Sequence, residues 1–175
     1  MSRQLHEVRL VQSTGPIPLS TITFAKEGLR RAKTIDCFDF VPSDCSLLHA
    51  ILANIPRGRF CEWGSGMGIG VGLAASMGFE STGIEIDPAL AAASRMLLTD
   101  FGLSATVTTG SYFDEHPSAD IYFTYCWPGQ LMRVEGKRPA HPWVILAGNR
   151  RTSGDFGSLQ TPLLPAFPFA GRLAT

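Results

Sequence analysis

Arg59-Phe60-Cys61-Glu62-Trp63-Gly64-Ser65-Gly66-Met67-Gly68-Ile69-Gly70 is the stretch on which the fold turns. Arg59 to Glu62 reads as a short buried strand. Val71 to Met77 then has the small and apolar residues of a helix packed closely on a sheet, ended by Gly78. Glycines 64, 66 and 68 stand at the handover, where missing side chains let the backbone turn sharply and let a ligand approach a helix N-terminus. Their spacing bears on the ligand. The dinucleotide fingerprint G-x-G-x-x-G needs a third glycine three residues after the second. From Gly64 that position is Ile69 and from Gly66 it is Val71, so the pattern fails in both registers.

Outward from this loop, strands and helices alternate. Thr82–Ile86 reads as a second strand, with Asp87 capping the next helix and Pro88 at its first position, where a missing N–H costs nothing. Ala89–Phe101 is helical and Gly102 closes it. Thr106–Thr109, rich in β-branched residues, is a third strand, Asp120–Cys126 a fourth and Trp143–Ala147 a fifth. Upstream, Ser43 reads as the N-cap of a helix carrying Leu47, Leu48, Ile51 and Leu52, stopped by Pro56. Lys26, Arg30, Arg31 and Lys33 read as one solvated helix face. Such alternation implies βαβ units, a parallel sheet and right-handed crossovers. The expected organisation is an N-terminal extension over 1–40, one α/β domain over 41–150, and a Pro-rich tail over 151–175. In that tail Pro162, Pro165 and Pro168 favour extended or disordered chain.

Composition narrows the class. The 175 residues are 45% hydrophobic and 17% charged, enough for one ordinary domain and incompatible with wholesale disorder. Lys+Arg and Asp+Glu are both 15, so no global charge favours nucleic acid or an anionic membrane. The balance conceals an asymmetry. Eight acids face one base between Phe60 and Met132, whereas Arg133, Lys137, Arg138, Arg150 and Arg151 oppose Glu135 alone in the following segment. Cys37, Cys45, Cys61 and Cys126 make no C-x-x-C pair, and the four histidines are scattered, so neither a zinc site nor a disulfide framework is expected. No secretory signal is visible at the start, and no apolar stretch approaches the ~20 residues of a membrane span. A soluble, reduced, cytosolic protein is expected.

Glu62, two places before a G-x-G-x-G run, resembles the first motif of class I S-adenosylmethionine-dependent methyltransferases. Their ligand has no pyrophosphate but carries an ammonium and a sulfonium, which a carboxylate at a strand end attracts. Gly83-Ile84-Glu85-Ile86-Asp87-Pro88 follows about twenty positions on, and an acid ending the second strand suits a ribose diol. The resemblance implies a Rossmann-like, doubly wound, mostly parallel sheet of order 3-2-1-4-5. It implies helices on both faces and truncation at the C-terminal edge. It also implies S-adenosylmethionine as cofactor, held by Glu62, Gly64, Ser65, Gly66, Gly68, Glu85, Ile86 and Ser111. Ser111 stands where the family often has an acid near the adenine, and Met67 where relatives often have an acid after the second glycine.

The fourth strand exits through Thr124-Tyr125-Cys126-Trp127-Pro128, without the N-P-P-Y box of many amide and base N-methyltransferases. Tyr125 and Trp127 are the expected catalytic wall around the sulfonium and an incoming amine. With Phe40-Val41-Pro42-Ser43 before the helix, the order of elements is similar to small protein lysine methyltransferases, the ATP synthase c-subunit enzymes in particular. The implied reaction is methyl transfer to a protein or small-molecule acceptor, with no metal, no nucleic-acid partner and homo-oligomerisation open. A cofactor-binding module without catalysis, and a nicotinamide-dependent oxidoreductase, stand as alternatives.

Overall fold

Strand β2 (Arg59–Trp63) lies between two parallel neighbours, β3 (Glu80–Glu85) and β5 (Ile121–Tyr125), and this arrangement positions everything functional. The computed structural model describes residues 6–7, 15–37, 40–114, 117–125, 143–147 and 165–166. Its other elements are β1 (His6–Glu7), α1 (Leu19–Ala32), α2 (Cys45–Ala53), α3 (Ile69–Ser76), α4 (Pro88–Asp100), β4 (Ala105–Thr109), β6 (Trp143–Ala147) and β7 (Pro165–Ala166).

The seven-stranded sheet runs β1-β7-β6-β5-β2-β3-β4. Its five longer strands, counted from β2, are in the expected order 3-2-1-4-5 and all pair in parallel. At the edge expected to be truncated, β7 pairs antiparallel with β6, and β1 pairs antiparallel with β7. Pro165 and Ala166 of the tail therefore form a two-residue strand between β6 and β1, and β1 is the edge.

Alternation along the strands sorts the core into two layers. Phe60, Ile121 and Phe123 face α2 and α3, meeting Leu48, Ile51, Leu52, Leu73 and Phe79. Cys61, Trp63, Ile84 and Tyr122 point to the other face and pack with Ala119 and Tyr112. All four described helices lie on the first face; the expectation of helices on both faces falls, for the second face, outside the described residues. Helix α1, within the stretch read as an N-terminal extension, packs on α3 and α4 through Phe24, Ala25 and Ala32. Lys26, Arg30 and Lys33 are exposed, as expected of a solvated face, and Arg31 is half-buried. Arg30 and Arg31 both bond Glu27, and Arg31 also reaches Asp100 of α4 at 2.8 Å.

Caps follow the side chains that reach the free N–H groups. Asp87 accepts from Ala89 and Leu90 N–H at 2.8 and 2.9 Å, with Pro88 opening α4 as expected. At α2 the cap is Asp44 rather than Ser43: its Oδ1 accepts from Ser46 and Leu47 N–H at 2.8 and 3.1 Å. No described helix is long and apolar enough to cross a membrane.

Candidate ligand-binding cleft

The carboxyl ends of β2, β3 and β5 open into a cleft of about 530 Å3, where an open parallel sheet binds its ligands. The glycine loop forms its floor, and the loop hangs from β3. Gly64 and Ser65 both donate their N–H to the Ile84 carbonyl at 2.9 Å. Gly66 N–H donates to Glu85 Oε2 at 2.7 Å, and Gly68 N–H to the Ser65 carbonyl at 2.8 Å. Positive φ of 70°, 53° and 70° at glycines 64, 66 and 68 makes this winding possible. The second oxygen of Glu85 accepts from Asp87 N–H at 2.8 Å, so one carboxylate joins the loop to the start of α4.

Glu62 ends beneath the first turn of α3 and is only 3% exposed. One of its oxygens, Oε2, has no hydrogen-bond partner. Burial pushes its carboxyl up to about 8; the Val71 backbone N–H opposes that, and the nearby Glu85 charge adds to it. Ser65 Oγ and Trp63 Nε1 are likewise buried without a partner. A buried carboxyl left half-satisfied at a cleft floor is costly unless a ligand completes it, so the site is built for a cationic or donor-bearing group.

Of the residues singled out in the sequence, Glu62, Gly64, Ser65, Gly66, Glu85, Ile86 and Tyr125 all line this cleft. Ile86 is 70% exposed at its mouth, an apolar surface offered to a flat ligand. Gly68 is instead the N-cap of α3, and its Cα is turned towards Ser94 and Val107, away from the cleft. Ser111 does not line the cleft. Its hydroxyl accepts from Phe113 N–H at 3.1 Å, while the next residue, Tyr112, lines the wall and stacks on Trp63 with ring centres 5.6 Å apart. Trp127 lies outside the described residues. Thr124 of β5 is buried and also lines the cleft.

The wall formed by Phe40, Val41, Pro42 and Ser43 was not foreseen as part of the site. The Phe40 ring sits over Gly66: a Cβ there would come within 2.6 Å of Phe40 Cε2. Gly70 has a similar role below, making room for the Glu62 carboxyl. Among the described residues no group of three or more His, Cys, Asp or Glu is arranged to hold a metal.

No protein-family model matches the chain, and no curated protein matches it in sequence. Solved structures do. An RNA methyltransferase from Salinibacter ruber in complex with S-adenosyl-L-homocysteine is 22% identical, with a TM-score of 0.56 over 73% of this chain and 92% of that one. An S-adenosylhomocysteine-bound methyltransferase from Podospora anserina is 17% identical, with a TM-score of 0.54 over 74% of this chain and 62% of that one. The tRNA (uracil-54, C5)-methyltransferase of Pyrococcus abyssi, also in complex with S-adenosyl-L-homocysteine, is 13% identical, with a TM-score of 0.50 over 63% of this chain. The chain spans only 30% of that enzyme. Together with the strand order and the glycine turn after β2, these likenesses show that the chain has the Rossmann-like fold of class I methyltransferases.

Proposed function

We propose that the protein binds S-adenosylmethionine in this cleft and transfers its methyl group to a nucleophile, a protein lysine being the acceptor that fits best. The observation that carries the reading is Glu62, buried and half-satisfied at the N-terminus of α3. A helix N-terminus after a glycine loop ordinarily attracts phosphate. Here the Gly64, Ser65, Gly66 and Gly68 N–H groups are already engaged and a carboxyl occupies the helix end. That arrangement leaves a pyrophosphate no free N–H groups in the loop to bind, whereas an ammonium group beside Glu62 would favour the carboxyl's ionised form and pair with it. The fold likeness to structures crystallised with S-adenosylhomocysteine supports the same reading.

S-adenosylmethionine, when bound, supplies an electrophilic methyl on a sulfonium, so the protein has mostly to position and desolvate. Glu62 would hold the amino-acid end and Glu85 the ribose hydroxyls through lone pairs its two backbone bonds leave free. Ile86 and Tyr112 offer apolar surface for the base. Tyr125, at the end of β5, would border the methyl group and exclude water there. An acceptor amine entering beside a sulfonium loses its proton more readily than in water.

The acceptor class is argued from charge. The described cleft lining carries the carboxylates of Glu85 and Asp87 beside the buried Glu62 carboxyl, and no Lys, Arg or His. An amine meets attraction there, whereas a phosphodiester chain meets repulsion. A neutral small-molecule nucleophile is the second acceptor consistent with that lining.

Calorimetric titration with S-adenosylmethionine, S-adenosylhomocysteine and NADH tests the cofactor. Binding of the first two without the third is expected, and NADH binding alone would overturn the reading. Labelled-methyl transfer into lysate protein tests the acceptor. Label confined to small metabolites would remove the lysine and leave the methyltransferase.

A further inference from the structure

Glu85 does something that a ribose contact does not require. Its two oxygens are spent on two backbone N–H groups from different segments: Gly66 at 2.7 Å and Asp87 at 2.8 Å. The carboxylate is 7% exposed, so these bonds are poorly replaced by water. Gly66 sits at the middle of the loop with φ of 53°, one of many conformations open to a glycine, so the loop's own sequence does not select it. Its neighbours Gly64 and Ser65 are tied to the Ile84 carbonyl, one residue before Glu85. The Glu85 carbonyl in turn accepts from Gly110 N–H at 2.9 Å, fixing the end of β3 to the end of β4. A single residue thus stands where the glycine loop, the start of α4 and the β4 exit meet.

We propose that Glu85 is a positioning residue that sets the glycine loop in its binding shape before any ligand arrives, in addition to any contact with the ligand itself. The proposal deepens the cofactor reading above and rests on it only for its second test. With the loop set in advance, the ligand does not have to order it, and affinity rises accordingly. Without the carboxylate, Gly66 and Asp87 N–H lose their acceptor together and the loop samples other conformations.

Two measurements on the full chain separate this role from direct contact. The first needs no ligand. Amide hydrogen exchange of Gly66 and Asp87 should accelerate at least tenfold in Glu85→Ala, while the Phe60 and Ile121 amides at the sheet centre keep their protection. Glu85→Gln retains one carbonyl acceptor and turns an NH2 towards the other N–H, so one of the two amides should stay slow. Unchanged Gly66 exchange in folded Glu85→Ala would overturn the proposal. The second uses an S-adenosylhomocysteine analogue lacking both ribose hydroxyls, which has nothing to give Glu85 directly. Glu85→Ala should still weaken that analogue about tenfold, the size of losing a charge-assisted hydrogen bond. Equal affinity of wild type and variant for the analogue would reduce Glu85 to a ribose ligand. Failure of wild type to bind S-adenosylhomocysteine at all would overturn the methyltransferase reading and leave the exchange result to decide this one.

Discussion

Glu62 and Gly70 are a matched pair. A Cβ on Gly70 would lie 2.5 Å from Glu62 Oε1 and 2.6 Å from Oε2, so the carboxyl at the end of β2 occupies the space that the glycine leaves in the first turn of α3. Neither position is free to change alone. Gly70→Ala should destabilise the fold by about 1–3 kcal/mol, the usual cost of overpacking a closed site. Adding Glu62→Ala should recover part of that loss, because the collision disappears with the carboxyl. Denaturant unfolding of the two single variants and the double variant measures the coupling; strict additivity would mean the two groups do not meet.

The same carboxyl makes stability depend on pH in an unusual direction. Its folded value is pushed up to about 8, against 4.5 for an ordinary glutamate. Between those pH values the unfolded chain has released the proton while the folded chain keeps it. Unfolding free energy therefore falls as pH rises, by up to about 1.4 kcal/mol per unit. The stabilisation is complete below pH 4.5 and gone above about 8. The nearby groups are Glu85, whose charge reinforces the shift, and the half-buried Cys45, whose own thiol is pushed up by burial, then by Asp44 and Glu62. Glu62→Gln should flatten the profile across this window in parallel unfolding curves. A slope identical to wild type would place the titration elsewhere.

Glycines 64 and 66 share a left-handed backbone but face different surroundings. A Cβ on Gly64 meets nothing within 4 Å, whereas one on Gly66 meets the Phe40 ring. Gly64→Ala should cost about 1–2 kcal/mol for the backbone alone and put a methyl group into the cleft, weakening cofactor binding. Gly66→Val should cost more in stability, through Phe40 rather than through the ligand's space. Trimming Phe40 to Ala beside Gly66→Ala should give a smaller combined loss than the sum. Thermal unfolding of these variants, with calorimetry on those that fold, separates the two cases.

Local signals in the sequence were strong where one residue type had one use. Asp87-Pro88 opens α4, and Trp143–Ala147 is β6 as read. The Ser43–Asp44 pair shows the limit. Both are capping residues, and only the reach of Asp44 to Ser46 and Leu47 decides between them. Helix α1 was hard to place because its buried side is mostly small: Ala25, Gly28 and Ala32 flank a single large residue, Phe24. The cleft was legible on the strands and the loop, where Glu62 and Glu85 announce themselves by spacing. Its Phe40–Ser43 wall was not, since the meeting of Phe40 with Gly66 joins distant parts of the chain. Ser111 and Tyr112 exchanged places for a similar reason: the tyrosine is drawn to the wall by stacking on Trp63.

Tyr125 gives the last test, because it stands at the end of β5 on the side where an acceptor would enter. It is half-buried and lines the cleft beside the buried Thr124. If its ring is the apolar, cation-tolerant wall proposed above, what matters is the aromatic face and not the hydroxyl. A ring beside a desolvated cation contributes about 0.5–2 kcal/mol, which corresponds to roughly 2- to 30-fold in rate. Tyr125→Ala should therefore lower kcat for labelled-methyl transfer within that range, while S-adenosylhomocysteine affinity by calorimetry changes less than twofold. Tyr125→Phe should keep most of the activity. Loss of activity in Tyr125→Phe equal to that in Tyr125→Ala would assign the work to the hydroxyl, as a hydrogen-bonding or proton-transferring group, and would sink the aromatic-wall account.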